Sequence, residues 1–312
     1  MPGPSNDTEP SMSTDPLVLA ARRLIDLGPD GFSGPDADDF VAEVGRRHPA
    51  RETHLKATAE AISQRLPGVS PDEVAAGVYE NFIWTHFVCK LLMTVTPAAA
   101  VDFTLKRLDI SELSRTLDAS GTAILSGFHY TGYPLVALGL AVSPVAPLIS
   151  KARVDVLDKG SERLGDQVVY LSDRSAALQF IRGLKQGRPA WLMVDVVLPS
   201  VRVVKTRFLG RGMDVVAGMG KIAKLSGRPC IPLFWELTGH GAKLITGSPI
   251  LAAERSEEEF TQDFVTSQAA FIAQRPTQWL EWYSVLDDAP RLRAEVKRGN
   301  DELWARLAQA LQ

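Results

Sequence analysis

Apolar residues recur along this chain with two periods, and the change from one to the other divides it. Leu17, Leu19, Ala20, Leu24 and Ile25 follow helical spacing and stop at Gly28-Pro29, which predicts a helix over Leu17–Leu27. Shorter helices are expected over Asp38–His48 and Glu52–Leu66. Ser70-Pro71-Asp72-Glu73 is a start signal, with Ser70 as N-cap, Pro71 at the first helical position and Glu73 at the third. The helix it opens runs towards Val95 on a face of Val74, Val78, Phe82, His86, Phe87 and Leu91, and Pro97 ends it. His86 reads as a structural residue on that packed helix. Trp84 and Phe87 fit either a membrane surface or an acyl groove, and periodicity leaves both open. Residues 101–117 read as a mixed polar connection, with Ser111-Glu112 opening a short helix.

From Thr122 onward, short apolar runs alternate with helical patterns. Strands are expected at Thr122–Ser126, Gln167–Leu171, Trp191–Val194, Cys230–Trp235 and Ala242–Gly247. Helices are expected at Leu135–Val142, Val154–Leu164, Ser175–Gln186, Ala217–Leu225, Ser256–Gln274 and from Arg291 to the end. Ser256 and Glu259 form a capping box. Ser200–Gly210 alternates apolar and basic residues, as an edge or half-buried strand does. The pattern argues an α/β fold: a central mixed, mostly parallel sheet flanked by helices, with an N-terminal helical layer. Residues 1–16 are expected to be a disordered tail. Residues 17–312 are expected to form one domain, mainly helical over 17–117, with the α/β core and C-terminal helices over 118–312.

The stretch Ala119–Ser150 holds no Asp, Glu, Lys or Arg, and its one side chain that titrates near neutrality is His129. It is long enough to test as a membrane span. Pro134, Pro144 and Pro147 interrupt it, so a strand, a helix and a second strand buried in a protein core explain it better. The rest of the composition is ordinary for a globular chain of 312 residues: 45% hydrophobic, 23% charged, net charge −3. Such a balance gives no overall pull towards nucleic acid or anionic membrane. Cys89 and Cys230 make neither a metal site nor a disulfide framework, and a reducing cytoplasm fits them. Cytoplasmic residence, with peripheral contact at the inner face of a membrane, is the expectation.

The motifs exclude several chemistries. Gly218-Met219-Gly220 lacks both the third glycine of a dinucleotide fingerprint and the Lys-Ser/Thr of a P-loop. No Gly-x-Ser-x-Gly elbow is present, and no histidine pair has metal-ligand spacing. What remains is His129 after one buried strand and Asp195 after another, both carried to the same edge of a parallel sheet. The histidine can take a proton from a hydroxyl or amine, and a carboxylate on its other nitrogen would fix the tautomer. A satisfied core histidine and a turn-capping aspartate are the competing readings. Lys205 and Arg207, with Arg202 and Arg211, gather positive charge that suits a phosphate-bearing substrate or, equally, a solvated edge.

Several blocks together resemble the lipid A late acyltransferase family, within the lysophospholipid and glycerolipid acyltransferase superfamily. They are Asn81-Phe82; Gly121–Gly132; Lys151 through Arg163-Leu164-Gly165; Leu184-Lys185-Gln186-Gly187; Leu192–Asp195; Arg207–Gly210 with Gly218, Ala223, Gly227 and Ile231-Pro232; and Pro276-Thr277-Gln278-Trp279. The resemblance spans roughly Ser70–Tyr283 and implies a glycerolipid acyltransferase-like fold. It also implies acyl transfer, with His129 as base and no resident cofactor, the acyl donor being a co-substrate. That donor is a thioester on coenzyme A or acyl carrier protein, or an aminoacyl-tRNA. The acceptor is a lipid or a small metabolite bearing a hydroxyl or amine. Tyr130, Lys151 and Arg163 join Lys205, Arg207 and Arg211 as expected substrate contacts. The family keeps an acidic residue five positions after its histidine, and here that position is Pro134. Asp195 is the expected replacement. A non-catalytic lipid- or partner-binding role and a thioesterase are the alternatives.

Overall fold

The computed structural model describes residues 15–27, 34–90, 97–151, 167–171, 173–197, 201–238 and 241–311. Its N-terminal layer is helical: α1 (Pro16–Leu27), α2 (Pro35–Arg47), α3 (Arg51–Ser63) and α4 (Pro71–Ile83), the last continuing into a π-helical turn over Trp84–Val88. Asp15 accepts a hydrogen bond from the Leu17 amide and pairs with Arg47, and most of the tail expected over 1–16 lies outside the described residues. Ser70 precedes α4, yet its side chain makes no capping bond, and Pro71 alone starts the helix. Pro97 opens a further helix, α5 (Pro97–Arg107), where a mixed connection was expected. A proline fits the first helical turn, where its missing N–H has no partner to lose.

The core is a seven-stranded sheet. Its strands are β1 (Leu108–Asp109), β2 (Ile124–Gly127), β3 (Leu148–Lys151), β4 (Val168–Tyr170), β5 (Ala190–Met193), β8 (Cys230–Thr238) and β9 (Gly241–Thr246), in the order β1-β9-β8-β2-β5-β3-β4. All pairs are parallel except β8 with β9. The helices between them are α6 (Ser111–Ser120), α7 (Tyr133–Val142), α8 (Ala176–Lys185) and α9 (Met219–Ser226); α10 (Glu257–Gln274) and α11 (Ala289–Leu311) follow. The capping box at Ser256 and Glu259 forms as the sequence indicates. The uncharged stretch becomes β2, α7 and β3 buried within the core. Among the described residues no helix is long and apolar enough to cross a membrane. The helix expected over Val154–Leu164 lies outside the described residues.

The basic strand does not join this sheet. β6 (Val203–Phe208) pairs with β7 (Arg211–Val216) in a separate antiparallel hairpin. Val204, Thr206 and Phe208 turn inward, Lys205 and Arg207 outward. Arg65, itself buried, donates to the carbonyls of Phe208, Gly212 and Val285 at 2.8, 2.9 and 3.2 Å, clipping the hairpin to the C-terminal turns.

Three histidines surround Phe82 in the helical layer. His48, His54 and His86 lie 6.0, 4.5 and 4.2 Å from it, centroid to centroid. Burial pulls His54 down to about 3 and His86 down to about 4, and lowers His48 as well. An unfolded histidine takes its proton near pH 6.5, and these folded ones refuse it, so acid favours the unfolded chain. Stability should therefore fall steadily as pH drops from about 6.5 to 4. His54, whose two ring nitrogens have no hydrogen-bond partner, should contribute a share of the slope that persists to the acid end of the window. Denaturant titrations across that window check this: His54→Leu should flatten the fall, and an unchanged slope would show that the loss arises elsewhere.

Candidate active site

Parallel pairing of β2 with β5 sets the site. Ile124, Leu125, Ser126 and Gly127 stand opposite Ala190, Trp191, Leu192 and Met193. Each strand then runs two residues past the last pair, so His129 and Asp195 leave the sheet side by side. The edge in question is the carboxyl end of a parallel sheet, where α/β folds open their crevices. Gly127 is obligatory at the end of β2: a Cβ there would stand 2.6 Å from the Leu233 carbonyl oxygen of β8.

Asp195 is buried, 1% exposed, and accepts three hydrogen bonds. Its Oδ1 lies 2.7 Å from His129 Nδ1. Its Oδ2 accepts from the His129 backbone amide at 2.8 Å and from Trp279 Nε1 at 2.9 Å. Burial alone would raise this carboxyl. The neighbouring His129 charge and the donated N–H groups outweigh burial and hold it below its ordinary value. The same balance acts on the imidazole. Burial lowers His129, the Asp195 charge and hydrogen bond raise it further, and the net shift is upward. A carboxylate at Nδ1 makes that nitrogen the donor and leaves Nε2 with its lone pair. The His129 side chain is 20% exposed, so the ring reaches the surface while its partner does not.

The rest of the site is built around this pair. The segment 278–280 runs antiparallel to the histidine turn: the Leu280 amide donates to His129 O and the Thr131 amide to Gln278 O. This pairing carries Trp279 onto Asp195, with its ring against Phe128 and Phe208. Gly132 turns the chain into α7 with φ +73°, and its amide donates to the buried Thr85 hydroxyl of the π-helical turn at 2.8 Å. Pro134 sits in the first turn of α7, so no carboxylate follows the histidine there. Tyr133 packs edge-on against His129 at 5.0 Å. Glu281 and Arg293 stand close enough to act on the imidazole electrostatically, with opposite sign. Arg293 reaches Glu281, Ser284 and the Val197 carbonyl, tying α11 to the chain just beyond Asp195.

The other expected contacts do not gather here. Tyr130 is turned the opposite way: it is fully buried between Trp235 and Phe271, and its phenol donates to Gln268 Oε1 at 2.5 Å, which removes it from the surface where a substrate binds. Lys205 and Arg207 are on the outward side of the hairpin, and no contact joins them to His129 or Asp195 among the described residues. Arg211 donates to Gln64 beside a basin also lined by Glu60, Asp287 and Asp288, where carboxylates balance its charge. Lys151 ends β3, and Arg163 lies outside the described residues. Phe87 is core rather than surface, whereas Trp84 lines an apolar cavity of about 230 Å³ with Leu135, Leu237 and Thr131. Trp279, Tyr133, Glu281, Arg293 and His86 are the neighbours that sequence reasoning missed. Of these, Trp279 carried a signal, as an indole N–H that burial obliges to find an acceptor. Among the described residues no cluster of His, Cys, Asp and Glu is arranged to hold a metal ion.

A family model described as bacterial lipid A biosynthesis acyltransferase matches residues 44–283 of this chain. Among solved structures, the crystal structure of the 1-acyl-sn-glycerophosphate (LPA) acyltransferase PlsC from Thermotoga maritima is similar to it. The two are 13% identical, the match covers 84% of this chain and 96% of that one, and the TM-score is 0.40. No protein of curated description matches the chain in sequence.

The pair has a spectroscopic signature. NMR titration of the His129 ring should place its pKa above the ordinary 6.5, and Asp195→Asn should bring it below 6.5, because the two largest effects opposing burial are then gone. An imidazole that titrates identically in both proteins would mean that the carboxylate is not what sets it. The sign for stability follows. A raised histidine contributes stability that is present below pH 6.5 and lost as pH rises through the folded value.

Proposed function

The chain belongs to the bacterial lipid A biosynthesis acyltransferase family, and from that premise we propose that it uses His129 as general base to pass an acyl group to a hydroxyl or amine. The donor is an activated acyl group: a thioester on coenzyme A or a carrier protein, or an aminoacyl ester on tRNA. The acceptor is a lipid or a small metabolite. One observation carries the reading: the His129 Nδ1 lies 2.7 Å from a buried carboxylate while its side chain is 20% exposed.

The chemistry follows from that arrangement. As the acceptor oxygen or nitrogen attacks the acyl carbon, its proton passes to Nε2. The imidazolium so formed is stabilised by Asp195, which stays ionised. When the tetrahedral intermediate collapses, the same proton goes to the leaving thiolate or ribose oxygen, and the histidine returns to its neutral state. The apolar cavity beside Trp84 and Thr131 is a place for an acyl chain, Thr131 following His129 by two positions along the chain. A non-catalytic role drew its support from the lack of an acid after the histidine, and Asp195 makes good that lack from the neighbouring strand.

Purified protein incubated with a panel of acyl thioesters and candidate acceptors, read by thiol release and by product mass, tests the reading. His129→Ala should lower turnover by ~10²–10⁴-fold with the fold intact. Asp195→Asn should also lower turnover strongly and leave KM nearly unchanged, because the carboxylate touches the base and not the substrate. Since only the neutral imidazole accepts a proton, the rate should climb with pH through a pKa above 6.5. A His129→Ala protein retaining most of the rate would dispose of the assignment.

A further inference from the structure

Asp195 has a third donor that the proton transfers leave unused. The Trp279 indole N–H lies 2.9 Å from Oδ2, the oxygen that also accepts from the His129 backbone amide at 2.8 Å. The other oxygen, Oδ1, faces His129 Nδ1 at 2.7 Å. The Asp195 side chain is wholly enclosed, so among the described residues its charge is shared by these three N–H groups.

The indole is a donor that can neither move nor change sign. On one side of it the Thr131 amide donates to the Gln278 carbonyl at 2.8 Å, and on the other the Leu280 amide donates to the His129 carbonyl at 3.0 Å. Its ring has no exposed surface and packs against Phe208, Trp282 and Phe128 at 4.9, 5.0 and 5.7 Å between centroids. A hydroxyl in this place could rotate and offer a lone pair. An indole nitrogen only donates, and it keeps its hydrogen throughout the range in which His129 gains and loses a proton.

A hydrogen bond to one carboxylate oxygen draws charge from the other. Burial raises the Asp195 carboxyl, and the His129 charge, the His129 hydrogen bonds and the Trp279 indole together outweigh it. The same indole acts on the imidazole in the opposite sense. A carboxylate with less of its charge shared would hold the imidazole proton harder, and a base that stays protonated accepts nothing. General bases work best when their pKa lies near the operating pH. We infer that Trp279 is a positioning residue that tempers the base: its N–H holds part of the Asp195 charge away from the imidazole, so that His129 is neutral and ready closer to neutral pH. The inference rests on the acyl-transfer reading above and deepens it, adding to the pair a third member that is buried away from any substrate.

Two roles for the indole give opposite signs. If it only held the carboxylate in place, its loss would loosen the pair, and His129 would titrate lower, as in Asp195→Asn. If it tempers the base, its loss makes His129 titrate higher. The test follows the His129 ring by NMR and thiol release as a function of pH, with the donor and acceptor that turn over fastest in the thioester panel. Trp279→Phe removes the N–H and keeps an aromatic ring. Trp279→benzothienylalanine exchanges the N–H for sulfur and keeps the shape of the indole, which serves if the smaller ring upsets folding. Trp282→Phe is the control, because that indole donates to the Pro276 carbonyl in the same segment and not to Asp195. Both Trp279 variants should move the His129 titration up by about 0.5 to 1 pH unit, part of the worth of one hydrogen bond to a charged group. Below that pKa, kcat should fall by about 3- to 10-fold and recover as the pH is raised, with KM unchanged. Trp282→Phe should leave the titration where it is. A His129 pKa that falls or stays in the Trp279 variants, or that rises equally in Trp282→Phe, overturns the inference. Because the ring titration needs no turnover, the two readings fail separately. Absence of His129-dependent thiol release with every donor sinks acyl transfer, whereas normal turnover with an unmoved titration sinks the tempering role alone.

Discussion

A carboxylate buried at 1% exposure has to be met on every side, and the fold around Asp195 is arranged to meet it. An isolated charge in such surroundings would take up a proton or pull the structure apart. Asp195 keeps its charge because three N–H donors converge on it, and each comes from a different constraint. The backbone amide of His129 is there because β2 and β5 pair in parallel with Gly127 opposite Met193. The imidazole follows from the same register. The Trp279 indole arrives only because residues 278–280 pair antiparallel with the histidine turn. Slip either pairing by one residue and a side chain changes faces, leaving the carboxylate short of a donor.

A carboxylate on the next strand, rather than on the turn after the histidine, changes what holds the His129 imidazole in place. A carboxylate on the first turn of α7 would move with that turn. Asp195 lies two residues past β5 of the central sheet, whose strands β2, β5 and β8 are largely buried. The position left by the exchange is filled by Pro134, whose fixed φ and missing N–H suit the start of a helix. Gly132 supplies the left-handed residue that lets α7 begin so soon after His129. A Cβ there would also meet Leu237 Cδ1 at 2.6 Å, so the turn is pressed against β8 as well as bent.

The residues at strand ends were legible in the sequence because the signal is local: an apolar run, then a single polar side chain, twice, in an alternating α/β pattern. The capping box at Ser256 was legible for the same reason. Tyr130 was misread because the residue after a strand-end histidine can face either side, and the choice is made by Gln268, 138 residues away. The basic strand was legible as an edge or half-buried strand, but alternation reports two faces and says nothing of which sheet they belong to. Its hairpin stands apart, its edge covered by Gln262, whose side chain bonds both the amide and the carbonyl of Arg207.

The last helix shows how far the site extends beyond its motifs. The family match ends at residue 283, yet Arg293 of α11 acts on His129 and holds the Val197 carbonyl just past Asp195. That helix also packs on α1, so the two ends of the described chain meet at one layer. His48 bonds Asn300 of α11 at 2.9 Å, and its ring lies against Phe82, the residue on which His86 rests. A line of packed side chains therefore runs from α11 through His48 and Phe82 to His86, and Arg293 ties the same helix to the chain just past Asp195. The C-terminal helix is thus joined to the π-helical turn on one side and to the strand end that carries Asp195 on the other.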